Sequence, residues 1–168
     1  MEPAADAPEV GRWLSAMADA RRDTLRELEG LPDQDLFVRP EGVDNSIGSV
    51  LYHVALIEVD WLVDEIMGRS EEEFEESSLA RWFPQSDRDG EGRLTEPPPD
   101  TLAGHLERLT VVRDALVEEV RPMSVADFHQ PRVRARYDVS PAWVLHHLLQ
   151  HEAEHRSEIA RLRQLLPR

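Results

Sequence analysis

His151 and His155 stand four residues apart in the segment VLHHLLQHEAEHRSEI. Residues at that spacing are stacked neighbours on a helix, so two imidazoles can reach one ion, as other His-x-x-x-His metal sites do. At about 100° per residue, Val144, Leu148, Ile159 and Leu162 fall on one face with both histidines near its centre, which predicts imidazoles directed into a core. Two core histidines would each need a separate buried partner, whereas one shared divalent ion satisfies both. The chain has no cysteine. Thiolate ligands, disulfides and a cysteine nucleophile are excluded, and any metal must rest on His, Asp or Glu.

A third ligand must come from another helix. The candidates are His53, His105, His129, His146 and His147, with Glu58 and other carboxylates behind them. His146 faces solvent on the helical wheel. His147 lies at the edge of the apolar stripe beside His151, and His105 borders the apolar face of its own helix; each fits either a packing role or support for a ligand. Periodicity does not choose His53 over His105. Glu58 projects from an apolar face, where an unpaired carboxylate would cost several kcal/mol, so it needs a partner. That partner is either the free N–H of a ligating imidazole, with Glu58 acting there as support or base, or an arginine at a helix end.

The elements that must carry these residues read as four amphipathic helices. The first runs from about Val10 to Leu28 and closes before Pro32. A second begins at Ser46, carries Ile47, Val50, Leu51, Val54, Trp61 and Leu62, and stops at Gly68. A third is capped by Asp100 and buries Leu102, Leu106, Leu109, Val112, Leu116 and Val120 before Pro122. The fourth opens with Ser140 as N-cap and Pro141 in its first turn, and runs to about Leu165. Strands have little support. Between the second and third helices, residues 70–99 form a long polar connection with a short helix within SEEEFEESSLARWF. Connections of this length are usually lids or linkers, and Trp82 and Phe83 would be costly to leave in water, so the segment is predicted to pack across the helices and shape a pocket. The expected fold is an all-α four-helix bundle in one domain, residues 1–168.

Composition narrows the partners. A net charge of −15 repels phosphate backbones, which argues against nucleic acid. No apolar run approaches the roughly 20 residues of a membrane span, and the N-terminus lacks signal-peptide features, so no membrane and a cytoplasmic location are expected. All 19 basic residues are arginine, which excludes a Schiff-base lysine. Arg132, Arg134 and Arg136 alternate and could face one anion if extended, though a solvated loop accounts for them as well. Glu71, Glu72, Glu73, Glu75 and Glu76 read as a solvated face.

The pair NSIGSVLYHVALIEVDWL and VLHHLLQHEAEHRSEI resembles the paired signatures of the DinB/YfiT-like superfamily, across essentially the whole chain. The resemblance implies a divalent metal, Zn, Ni or Fe among the options, on His53, His151 and His155, with Arg156 filling the arginine that follows. Ser157 departs from the glycine common in relatives. Three neutral imidazoles leave an ion charged and with an open position, as in catalytic sites. Relatives include mycothiol-dependent maleylpyruvate isomerase and bacillithiol S-transferases, so the resemblance implies activation of a low-molecular-weight thiol such as mycothiol toward an electrophile. A metal hydrolase using water, with Glu58 or a nearby carboxylate as base, and a non-catalytic metal-binding or interaction bundle are the other readings. Relatives often dimerise, but the sequence marks no interface distinct from the core.

Overall fold

The computed structural model describes residues 5–97, 100–133 and 137–167. Arg134 and Arg136 therefore lie outside the described residues. The chain is mostly helical: α1 Pro8–Leu28, α2 Ile47–Asp60, α3 Glu71–Glu75, α4 Leu102–Val120, α5 Val125–His129 and α6 Pro141–Leu165. A π-helical stretch, Trp61–Met67, extends α2 until Gly68 ends it with a left-handed φ of 67°. That conformation costs a residue with a Cβ and suits glycine. No helix among the described residues is long and apolar enough to cross a membrane.

Three of the long helices, α2, α4 and α6, start at side-chain caps, whereas α1 starts at Ala7 with Pro8 in its first turn. Ser46 accepts from the Ser49 backbone N–H while Ser49 Oγ accepts from Ser46 N–H, a reciprocal cap for α2. Ser140 accepts from Trp143 N–H with Pro141 in the first turn, as the sequence implied for α6. The expected cap of α4 moves by one residue. Thr101 accepts from Gly104 N–H, and Asp100 instead accepts from Thr101 N–H and from Arg108. A Cβ on Gly104 would lie 2.0 Å from Asp100 Oδ1, so any larger residue there would displace the Asp100 carboxylate. Two-residue strands β1 (Arg132–Val133) and β2 (Asp138–Val139) pair antiparallel, a small ladder that the helical periodicity did not disclose.

Helix α1 packs on α6, α6 on α2, and α2 on α4. One apolar cluster contains Leu14, Met17, Leu62, Leu116 and Leu148; a second contains Leu28, Val54, Ala55, Leu109 and Ile159. Between them in the sequence of each long helix falls one buried charged residue: Arg21, Glu58, Arg113 and Glu152. Arg21 Nε donates to Glu152 Oε1 at 2.6 Å and its Nη2 to Glu58 Oε2 at 2.8 Å. Arg113 donates to both oxygens of Glu58 and, through Nη2, to Glu152 Oε2 at 2.8 Å. The arginines also reach the carbonyls of Leu109 and Met17. Charges cancel within the quartet, and with the two carbonyls every guanidinium nitrogen and carboxylate oxygen has a partner, the condition under which a buried ion network is tolerated. It ties all four long helices together at one level.

The connection after α2 lies over that helix. Tyr52 Oη donates to Gln85 O at 2.6 Å, Arg108 Nε donates to Trp82 O, and Ser46 Oγ donates to Glu96. Phe83 packs on the Tyr52 ring, and Leu94 is buried in the second apolar cluster. The segment thus packs across the helices as its aromatic residues implied. It also buries every residue of α2 from Ile47 to Ala55. A helix covered on all sides has no single apolar stripe.

Candidate metal centre

His53 comes from the covered stretch of α2 and is only 4% exposed, whereas His151 and His155 are half-buried on α6. Five residues separate His53 from Glu58, about 140° around the helix, so His53 turns away from the quartet toward α6. On α6 the expected placement is corrected. Glu152, 2% exposed, occupies the centre of the buried face against α1 and α4. His151 and His155 take the flank of that face, in the seam with α2.

The three rings converge there. His53 Nε2 and His151 Nε2 are 3.1 Å apart, and ring centroids lie 5.0 Å (His53–His151), 4.9 Å (His53–His155) and 4.5 Å (His151–His155) apart. One nitrogen from each ring lies within 4.8 Å of the others. With metal–nitrogen bonds of about 2.0–2.1 Å, nitrogens this close as the Nε2 pair subtend an angle of about 100°, acceptable in tetrahedral or octahedral coordination. The donor set fits a divalent ion.

Electrostatics keep the donors available. Burial lowers the His53 pKa to about 4, helped by the neighbouring His155, and burial with His155 and His53 lowers that of His151 to about 3. Both are neutral at pH 7, with lone pairs free for a cation. His155 Nδ1 lies 2.9 Å from Glu158 Oε2, leaving Nε2 for the cluster, and Asn45 Nδ2 fixes the other Glu158 oxygen at 2.7 Å. The contact with His155 and the Asn45 bond hold the Glu158 pKa down against its burial. A carboxylate behind a ligating imidazole sets its tautomer and raises its basicity. Glu158 was absent from the sequence candidates, although its position three residues after His155 is a helical-neighbour signal.

A sequence model of the DinB superfamily matches residues 16–159, from within α1 to within α6, including all three histidines. The chain belongs to the DinB superfamily. No curated protein matches it.

In this DinB-superfamily chain the remaining candidates are placed elsewhere. Glu58 is held by the two buried arginines, from mid-helix positions of α1 and α4 and not from helix ends. Both of its oxygens accept from these guanidinium groups. His147 stacks on Trp143 at 5.2 Å and 8° and lies 4.6 Å from the Trp61 ring; its centroid is 6.2 Å from that of His151. Arg156 reaches toward Asp23 on α1, with Nη1 at 3.4 Å. Phe83 lines a cleft of about 670 Å³ with Val59, Val63 and Phe74, but neither Trp82 nor any histidine lines it. His129 pairs with Glu9, and His146 packs edge-on to Trp13.

His105 is buried to 1%, with Nδ1 3.1 Å from Arg108 Nη1. Burial, then the Arg108 charge, lower its pKa to about 4. An unfolded histidine titrates near 6.5, so between these values the unfolded chain holds a proton that the folded chain lacks. The contribution of His105 to stability is therefore complete above about pH 6.5 and declines as pH falls toward 4. In metal-free protein, His105→Gln is expected to flatten the fall in urea midpoint between about pH 6.5 and 4.5 by the equivalent of up to one proton. Parallel curves for the two proteins would count against a neutral buried His105.

Proposed function

We propose that this DinB-superfamily protein is a divalent-metal-dependent enzyme, built as a DinB-type four-helix bundle, that activates a low-molecular-weight thiol for transfer to an electrophile or for thiol-dependent isomerisation. The observation that carries the metal part is the convergence of His53, His151 and His155 with Glu158 behind His155. The thiol part rests on the family relatives and on the lack of any cysteine in the chain, so the sulfur nucleophile would be supplied by a cofactor.

A divalent ion on the three imidazoles would act as a Lewis acid, lowering the pKa of a thiol that reached it toward neutrality. The chain's own residues prepare for this. Neutral imidazoles leave the positive charge uncompensated, so an anionic sulfur is favoured beside them. Asn45 and Glu158 keep His155 in one orientation, and the buried quartet fixes the rotation of α6 through Glu152, the neighbour of His151. In the hydrolytic alternative Glu58 is engaged by Arg21 and Arg113, so the base would be a nearby carboxylate such as Glu158 or Asp87.

The test is incubation of metal-loaded protein with mycothiol, bacillithiol or glutathione and a panel of electrophiles, beside His151→Ala. Thiol consumption is expected with at least one thiol and at most a few per cent of that rate in the variant, matching a loss of two or more orders of magnitude in metal affinity. Equal rates would remove thiol activation. Turnover of an ester or amide without added thiol would favour hydrolysis.

A further inference from the structure

His53 Nδ1 is buried and has no hydrogen-bond partner among the described residues, an expensive condition for an imidazole nitrogen. The nearest ionic neighbour is Asp87, whose Oδ2 lies 3.6 Å away. Asp87 belongs to the connection after α2, and its position is built. Gln85, two residues earlier, is bonded through its O and N to the hydroxyl of Tyr52, the neighbour of His53. Asp87 O accepts from Thr95 N–H at 2.9 Å, and Arg88 bridges to Leu94, whose side chain is buried in the core. Glu96 then ties to Ser46 and Arg39.

We propose that Asp87 is a positioning residue for the metal centre: its carboxylate accepts the His53 Nδ1–H, so that metal occupancy and closure of residues 86–95 over α2 stabilise each other. The inference rests on the metal reading above. Ligation through Nε2 leaves the imidazole proton on Nδ1, directed at Asp87, so the acceptor is needed in that tautomer. A shift of a few tenths of an ångström converts the 3.6 Å approach into a hydrogen bond. Glu158 plays the corresponding part for His155 from within α6, whereas Asp87 acts from a separate segment. Linkage is reciprocal: if closure favours the ion, the ion favours closure.

The experiment uses the full chain, purified without nickel affinity and stripped of metal. Zn²⁺ affinity is measured by chelator competition for the unsubstituted protein, Asp87→Asn, Asp87→Ala and Glu91→Gln, the last removing an exposed carboxylate from the same segment. Amide exchange is followed with and without Zn²⁺, and Co²⁺ absorption reports the ligand field. Asp87→Asn and Asp87→Ala are expected to bind about tenfold more weakly and to shift the Co²⁺ bands, while Glu91→Gln does neither. Zn²⁺ is expected to slow exchange at residues 86–95 in the unsubstituted protein but not in Asp87→Ala, where slowing around His151 persists. Zn²⁺ affinity of Asp87→Asn within twofold of the unsubstituted protein would overturn the proposal and leave the metal centre standing. An equal loss in Glu91→Gln would also overturn it, reducing the effect to surface charge. If the unsubstituted protein takes up no Zn²⁺, the metal reading fails and this inference with it.

Discussion

Glu58→Ala is expected to destabilise the protein by about 3–5 kcal/mol, a large part of the roughly 5–15 kcal/mol that holds a domain folded. Removing Glu58 leaves Arg21 and Arg113 with one buried carboxylate between them, so a positive charge is stranded in the interior. The pairing lost is dense: three guanidinium nitrogens donate to Glu58 at 2.5–3.0 Å. Replacing both members of one pair behaves differently. Glu58→Leu with Arg113→Met leaves Arg21 and Glu152 bonded at 2.6 Å and the residual charges balanced. That double variant is expected to be more stable than Glu58→Ala, despite the lost bond to Met17 O, because no charge remains unpaired. Urea unfolding measures both. A loss below about 1 kcal/mol for Glu58→Ala would mean that water reaches the quartet and solvates the stranded charge.

The quartet shows where sequence reasoning stops. Glu58 could be recognised as a buried carboxylate needing a partner, but Arg21 and Arg113 lie 37 and 55 residues away in a chain whose every basic residue is arginine. Nothing local distinguishes them. The long helices were legible because their caps, prolines and apolar spacing agree: Ser46, Ser140, Pro141 and Gly68 each mark a boundary that the structure uses. Histidine spacing disclosed His151 and His155. It misjudged their burial, since Glu152 completes the same face once oppositely charged partners wait on α1 and α4.

His53 was legible only through family resemblance, for a physical reason. Periodicity identifies the inward face of a helix that has one face in water, and α2 has none over its first turns because the connection sheathes it. Asp87 is hidden for the same reason, as its role depends on how that connection lies.

Substituting a ligand is the second large effect. Apparent binding of about 10–16 kcal/mol for four-ligand zinc sites gives roughly 3 kcal/mol per ligand, so His53→Ala, His151→Ala or His155→Ala should each weaken Zn²⁺ binding by about two to three orders of magnitude. The half-buried His151 is the cleanest position, because its loss perturbs packing less than that of His53. The decisive measurement is X-ray absorption at the zinc edge, on protein purified without nickel affinity and loaded with one equivalent of Zn²⁺, beside His151→Ala. The expected result is one tightly held ion with three imidazole nitrogens at about 2.0–2.1 Å, reduced in the variant to weak binding with fewer imidazoles. Stoichiometric binding with three imidazole nitrogens still on the ion in His151→Ala, or no tight binding by the unsubstituted protein, would contradict a metal centre on His53, His151 and His155.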